Sequence, residues 1–247
     1  MISIPKVIHY CWFGGKPLPP SALKCIESWR KYFPDQEIRE WTEGSFDVNR
    51  LRYTKQAYQA KKFAFVSDYA RLWILYHHGG IYFDTDVEVV KPFDDILSEG
   101  AFMGCEIDSP EAYAVNPGLG IAVAAGHPIY KEVLDTYSNL SFVLDDGRLN
   151  MLGIVRLTTG VLLKHGLQRT SDVQQVSGIT IYPPEYFNPL DDATGRLFVT
   201  SKTHSIHWYS KTWVDNSSRF RVQVARLLHR LFDKKFAKKM KRMLHVR

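Results

Sequence analysis

Residues 63–90 read FAFVSDYARLWILYHHGGIYFDTDVEVV, and the fold follows from how this stretch divides. Phe63 to His78 has the apolar density and length of a helix. Gly79-Gly80 stops it. Ile81 to Phe83 reads as a strand running into Asp84-Thr85-Asp86, and Val87 to Val90 continues extended to Pro92. A helix that delivers the chain into a strand ending in acids is a piece of an α/β sheet.

The flanking sequence agrees. Lys6 to Trp12 predicts a first strand, closed by Phe13-Gly14-Gly15. Ser21 to Phe33 has apolar residues at 22, 23, 26, 29 and 33, a helical period. Pro34-Asp35 breaks it before a second strand, Glu37 to Trp41. This β-α-β opening favours a sheet with helical crossovers. Downstream, Gly100 to Cys105 and Leu119 to Ala124 read as strands around a polar loop from Glu106 to Pro117. Pro128 to Phe142 and Leu149 to His165 read as helices, and Ile179 to Tyr182 and Phe198 to Trp208 as strands. No internal repeat or low-complexity linker interrupts the chain.

With 247 residues and 45% hydrophobic content, the chain suits one compact domain, or one domain with a small appendage. The net charge of +6 is unevenly placed. Residues 219–247 hold 11 Lys/Arg and one acid, a balance of +10, so the remaining 218 residues carry −4. An acidic globule with a basic tail argues against nucleic-acid binding by the whole domain. No apolar run of about 18 residues predicts a membrane span. The opening MISIPKVIHYCWFGG reads as a strand and not as a signal peptide. Cys11, Cys25 and Cys105 lack CxxC spacing and read as buried or neutral thiols. A cytosolic location is the expectation.

Asp84 and Asp86 are the first candidates for chemistry. Two Asp side chains two residues apart can converge on one hard cation where a strand turns. Carboxylate oxygens suit Mg²⁺ or Mn²⁺, and such a cation would clamp a diphosphate leaving group. The spacing alone is weak, because 16 Asp in 247 residues give about one Asp-x-Asp by chance, and on spacing alone a solvated turn with two surface acids is the better explanation. Asp68 and Arg71, three apart, share one helix face. They read either as a local ion pair or, given their apolar neighbours, as charges at a cleft.

The run S-D-Y-A-R-L-W-I-L-Y-H-H-G-G-I-Y-F-D-T-D-V resembles the sugar-binding region of glycosyltransferase family 32. The opening I-P-K-V-I-H-Y-C-W-F-G-G resembles the family's first strand, and S-I-H-W-Y-S-K-T-W its last block, so the resemblance runs from Ile4 to Trp213. It implies a GT-A fold, a Rossmann-like α/β domain binding a nucleotide sugar at the C-terminal strand ends. Residues 1–218 would be this catalytic domain.

The resemblance also implies roles. Asp86 would ligate the metal directly, and Asp84 would contact it through water or contact the ribose. Asp68 and Arg71 would hold the donor sugar and the departing phosphate. Tyr82 would lie beside the nucleotide. The backbone at Ile8-His9 and the Trp12 ring would form the base site, with core packing the other reading of Trp12. His207, in competition with His204, would be a third metal ligand and tilt the choice toward Mn²⁺. Lys211 and Trp213 would touch the phosphates, and Asn116 the sugar hydroxyls. The implied reaction is a retaining hexosyl transfer from a nucleotide diphosphate sugar, UDP-hexose ranking ahead of GDP-hexose, to a glycan or lipid-linked glycan in capsule or lipopolysaccharide synthesis. A protein-directed effector-type transferase and a catalytically silent sugar-nucleotide-binding module are the alternatives.

Residues 220–244 place apolar residues at a helical period among Arg and Lys. This basic amphipathic helix, residues 219–247, predicts peripheral attachment to the inner face of the plasma membrane. Packing on the domain, a homodimer contact or, least favoured, a nucleic-acid tail is the competing use.

Overall fold

A computed structural model describes residues 3–109, 112–192 and 194–210. Lys211, Trp213, the end of the expected domain at residue 218 and the tail at 219–247 lie outside the described residues. The chain runs β1 (Val7–Cys11), α1 (Pro20–Tyr32), β2 (Glu37–Trp41), α2 (Arg52–Gln59), α3 (Phe63–His78), β3 (Gly80–Tyr82), β4 (Val87–Val89) and α4 (Asp94–Ser98). It continues through β5 (Phe102–Ser109), β6 (Ala112–Val115), a 3₁₀ turn at Pro117–Leu119, β7 (Ile121–Val123), α5 (Pro128–Tyr137) and α6 (Ile154–Lys164). The last elements are β8 (Gln174–Val176), β9 (Ile179–Tyr182), α7 (Pro184–Phe187), β10 (Leu190–Asp191), β11 (Arg196–Leu197) and β12 (Ser205–His207).

The expected α/β class holds. The main sheet has the order β2-β1-β3-β7-β5-β9-β8, with β6 added to β5. The β1–β2, β1–β3 and β5–β9 pairs are parallel, while β7 runs antiparallel to both β3 and β5. Strand alternation sends adjacent side chains to opposite faces. Tyr82, Met103 and Ile121 join a core with α2, α3, α5 and α6. Ile81, Phe102 and Ala122 join a second core with α1, Phe93 and Phe187. Helices therefore cover both faces.

Two features fix the start of β3 and the position of β4. Gly79 and Gly80 have φ of +65° and +102°. A Cβ at Gly79 would lie 2.8 Å from the Ala125 amide nitrogen, and one at Gly80 2.7 Å from the Val7 carbonyl oxygen, so α3 can enter the sheet this tightly only through glycine. From the other face, the Trp29 indole donates to the Val87 carbonyl at 2.8 Å, and the Val89 amide donates to the Ser28 hydroxyl at 2.9 Å. Helix α1 thereby holds β4.

Several expected boundaries move. The polar stretch 106–117 is no loop: β5 runs on to Ser109 and forms a hairpin with β6, pairing Glu106 with Ala114. Beyond the main sheet the hairpin needs no continuous apolar run, so periodicity misses it. The strand expected over Phe198–Trp208 is confined to Ser205–His207, because Thr200 and Thr203 bond each other in a turn. The helix expected from Pro128 ends at Tyr137. The one expected from Leu149 begins at Ile154, since Asn150 is held by the Ser141 carbonyl and the Leu152 amide. Helix α2 and strand β8 were not expected.

Candidate active site

The site lies where β3 ends. The Phe83 amide donates to the His9 carbonyl, the Asp84 amide to the Gly118 carbonyl, and the Val87 amide to the Asp84 carbonyl. This turn lifts Asp84 and Asp86 out of the sheet edge. Strand β12 then pairs antiparallel with β4, setting His207 opposite Val87. That register puts the His207 imidazole on Asp86, Nε2 to Oδ1 at 3.0 Å. One ligand atom from each of Asp84, Asp86 and His207 lies within 4.8 Å of the others. The Ser210 amide donates to Asp86 Oδ2 at 2.8 Å, and the Trp208 amide to the Asp86 carbonyl at 2.9 Å.

Arg71 closes the other side. Its guanidinium is buried, 3.1 Å from Asp68 and 2.9 Å from Asp84. The helix spacing of Asp68 and Arg71 is thus a local ion pair that also reaches the strand end. Tyr82, buried below, donates its hydroxyl to Asp84 Oδ1 at 3.1 Å, and its ring centroid lies 5.1 Å from the Arg71 guanidinium carbon. Gly118 fills the remaining space: a Cβ there would collide with Asp84 Oδ2 and come within 3.0 Å of Arg71 Nη1. Asn116 is spent on neighbours, its Oδ1 accepting from the Gly118 amide at 2.8 Å and its Nδ2 donating to Glu106 at 2.7 Å.

Burial pushes the Asp68 carboxyl up to about 6, against the pull of Arg71. Burial also raises Asp84, again against Arg71, with Asp86 adding to the rise. Asp86 is lowered: burial alone would raise it, but His207 and the Ser210 amide outweigh burial. His207 is raised, because Asp86 outweighs its burial. Asp68, Asp84, Asp86 and Glu106 surround one guanidinium and one imidazole, an excess of negative charge. Such an arrangement is costly without a cation.

The structure separates the other candidates. Ile8 and His9 side chains are fully buried, and β1 is paired on both sides, so their backbone groups serve the sheet. Trp12 is half-buried against the second core, its indole donating to the Lys16 carbonyl. Gly14 gives room to the Phe63 ring rather than to an open groove. His204 is not at the site. It is buried, bonded to Asp95 and the Lys202 carbonyl, and stacked on Tyr186. Sequence reasoning missed Gly118, Glu106 and the Tyr209 side chain. Tyr209 and Ser210 lie inside the quoted last block, but nothing in the sequence marks Glu106.

Residues 19–103 match a family model described as glycosyltransferase sugar-binding region containing DXD motif. Inositol phosphoceramide mannosyltransferase 1 of Schizosaccharomyces pombe is 30% identical over 114 residues, 42% of this chain and 34% of that protein. Glucan organizing enzyme 1 of Cryptococcus neoformans var. grubii is 41% identical over 153 residues, 51% of this chain and 41% of that protein. The chain thus spans well under half the length of these curated relatives. A solved structure, PaToxG Glycosyltransferase, aligns with a TM-score of 0.48 and 23% identity over 65% of this chain and 69% of that one. Asp84-Thr85-Asp86 lies inside the matched residues and has the D-x-D spacing that the description names.

Proposed function

We propose that this chain transfers a hexose from a nucleotide diphosphate sugar to a hydroxyl of a glycan or lipid-linked glycan, with retention at the anomeric carbon. The observation that carries the reading is the convergence of Asp84, Asp86 and His207 beside Arg71. Two carboxylates and an imidazole suit Mn²⁺, and Mg²⁺ less well. His207 Nδ1 is buried without a hydrogen-bond partner, and the surplus of carboxylates favours a cation. When bound, the cation would neutralise the diphosphate and stabilise it as a leaving group.

The chain's own groups have distinct tasks. Arg71 is held between Asp68 and Asp84, so its charge is preorganised for the departing phosphate. Asp68 and Asn116 border the sugar. Lys211 and Trp213 would complete the phosphate contacts. Retention follows from the family resemblance: front-face attack, the leaving phosphate taking the acceptor proton, needs positioning rather than an enzyme nucleophile.

The acceptor reading draws on two supports. The relative from Schizosaccharomyces pombe is named for a phosphoceramide acceptor, and the basic amphipathic pattern at 219–247 suits a membrane surface. No helix among the described residues is long and apolar enough to cross a membrane. We place the reaction in surface-glycan synthesis on the inner face of the plasma membrane. The deciding experiment is a panel of UDP- and GDP-sugars with Mn²⁺, scored by donor hydrolysis and then by transfer. Hydrolysis of one donor that stops with EDTA is the expected result; no hydrolysis of any donor by folded protein would overturn the reading.

A further inference from the structure

Glu106 lies on β5 just beyond the main sheet, and the chemistry above gives it no task. Its Oε2 accepts from Asn116 Nδ2 at 2.7 Å and from the Tyr209 hydroxyl at 2.9 Å. No Lys or Arg among the described residues forms an ion pair with it within 4 Å. The carboxylate therefore joins two segments far apart in sequence. One is the 116–118 turn, which packs Gly118 on Asp84 and Arg71. The other is the chain leaving β12, which returns over Asp86.

Tyr209 shows that this return is held under constraint. Its φ is +48°, a left-handed conformation that a bulky L residue adopts only when its surroundings over-determine it. The surroundings here are specific. The Tyr209 hydroxyl donates to Glu106 and accepts from Asn188 Nδ2 at 2.9 Å, while its ring packs edge-on against His207 with centroids 4.2 Å apart. The amides on either side, Trp208 and Ser210, both donate to Asp86. Holding the ring thus fixes the Trp208 amide on the Asp86 backbone carbonyl, the Ser210 amide on the Asp86 carboxylate, and the imidazole that faces that carboxylate.

We propose that Glu106 is a positioning residue that latches the 207–210 segment, through the Tyr209 hydroxyl, onto the Asp84-Asp86 pair and so presents His207 and Asp86 for cation and nucleoside diphosphate binding. The binding half of this proposal rests on the function proposed above; the latch itself does not.

Two measurements separate them. Hydrogen exchange of the Trp208 and Ser210 amides reads the latch directly, because exchange reports local opening. Glu106→Gln and Tyr209→Phe should each speed exchange of these amides about tenfold, leaving β1 and β3 amides unchanged. The double variant should add little, since both changes cut one interaction. Glu106→Asp should recover part of the protection. Calorimetry with Mn²⁺ and UDP or GDP reads the consequence: both single variants should bind the Mn²⁺–nucleotide pair about tenfold more weakly. Unchanged exchange in both variants would overturn the latch. Faster exchange with unaltered Mn²⁺–nucleotide affinity would overturn the positioning role. A wild-type protein that binds no Mn²⁺–nucleotide refutes the binding half and the proposed function together, while the exchange result still decides the latch.

Discussion

His9 and His207 are both buried, His9 on β1 inside the main sheet and His207 on β12 in the two-stranded sheet with β4, and they are built for opposite purposes. His9 is finished. The Trp41 indole can only donate, and it donates to His9 Nδ1 at 3.1 Å. Nε2 must then carry the proton and give it to the Gly79 carbonyl at 3.0 Å. Both ring nitrogens are satisfied by the neutral imidazole, and burial drives its pKa down to about 4. His207 is unfinished. Asp86 holds it toward the charged form, and Nδ1 has no partner. A cluster complete without a ligand supports the fold, whereas one with surplus charge and an unpartnered atom is made for something that arrives later.

The largest expected effect tests the unfinished side. Asp86→Ala removes one of the three converging ligand atoms and the acceptor for the Ser210 amide. Losing one preorganised electrostatic group of this kind costs about 10²–10³-fold. Because the Ser210 amide also loses its acceptor, we expect a fall of about 10³-fold in donor hydrolysis at saturating Mn²⁺. Circular dichroism should show an unaltered fold. A rate within tenfold of wild type would put the cation elsewhere.

The next effect tests the finished side. The folded His9 pKa, about 4, lies below the unfolded value of 6.5. The stability from neutral His9 is therefore complete above pH 6.5 and declines as pH falls toward 4, by about 3 kcal/mol in total. Asp68, with its raised pKa, contributes the opposite slope near pH 6. The His9 share must accordingly be read as the difference between wild type and His9→Gln. Urea unfolding at pH 7 and at pH 4 should show that difference shrinking by about 3 kcal/mol. A difference independent of pH would mean that His9 is not held neutral.

Gly118→Ala asks how closely the charged cluster is packed. The backbone there is not in the left-handed region, so the change is purely steric. The added methyl meets Asp84 Oδ2, Arg71 Nη1 and Asn116 Oδ1 together, and displacement of this order costs about 10²-fold. We expect that fall in turnover with a melting temperature shift of only a few degrees. Full activity would show that Arg71 and Asp84 have slack that their close packing does not suggest.

What the sequence discloses follows the same division. The α/β architecture is legible because strands 7–11, 37–41 and 179–182 and helices 20–32 and 63–78 announce themselves by apolar period and by their breakers. Asp68, Arg71, Asp84 and Asp86 are legible because they lie within 19 residues of one another on adjoining elements. His207 can be named only by resemblance, since its arrival at Asp86 depends on the β4–β12 register across 120 residues. Glu106 is hidden for a similar reason: its partners are 10 and 103 residues away. His9 stands in a recognisable strand, but its task does not show, because a sequence does not reveal that an indole will occupy Nδ1.

Tyr82 sits where the finished and unfinished sides meet, so it gives the smallest and most discriminating effect. Its ring belongs to the core below, fully buried with Cys11 and Met103 in the same cluster. Its hydroxyl belongs to the site, donating to Asp84 Oδ1, the oxygen that Arg71 also holds. Tyr82→Phe keeps the ring and its place beside the guanidinium while removing one hydrogen bond to a carboxylate. Because Arg71 still neutralises Asp84, the fall should be about tenfold in kcat/KM, with stability lowered by about 1–2 kcal/mol. Tyr82→Leu removes the ring as well, and should unfold at distinctly lower urea than the Phe variant while losing more activity. If Phe and Leu proved equal in both measurements, the ring would have no part in holding Arg71. The division between core and site would then run above Tyr82 rather than through it.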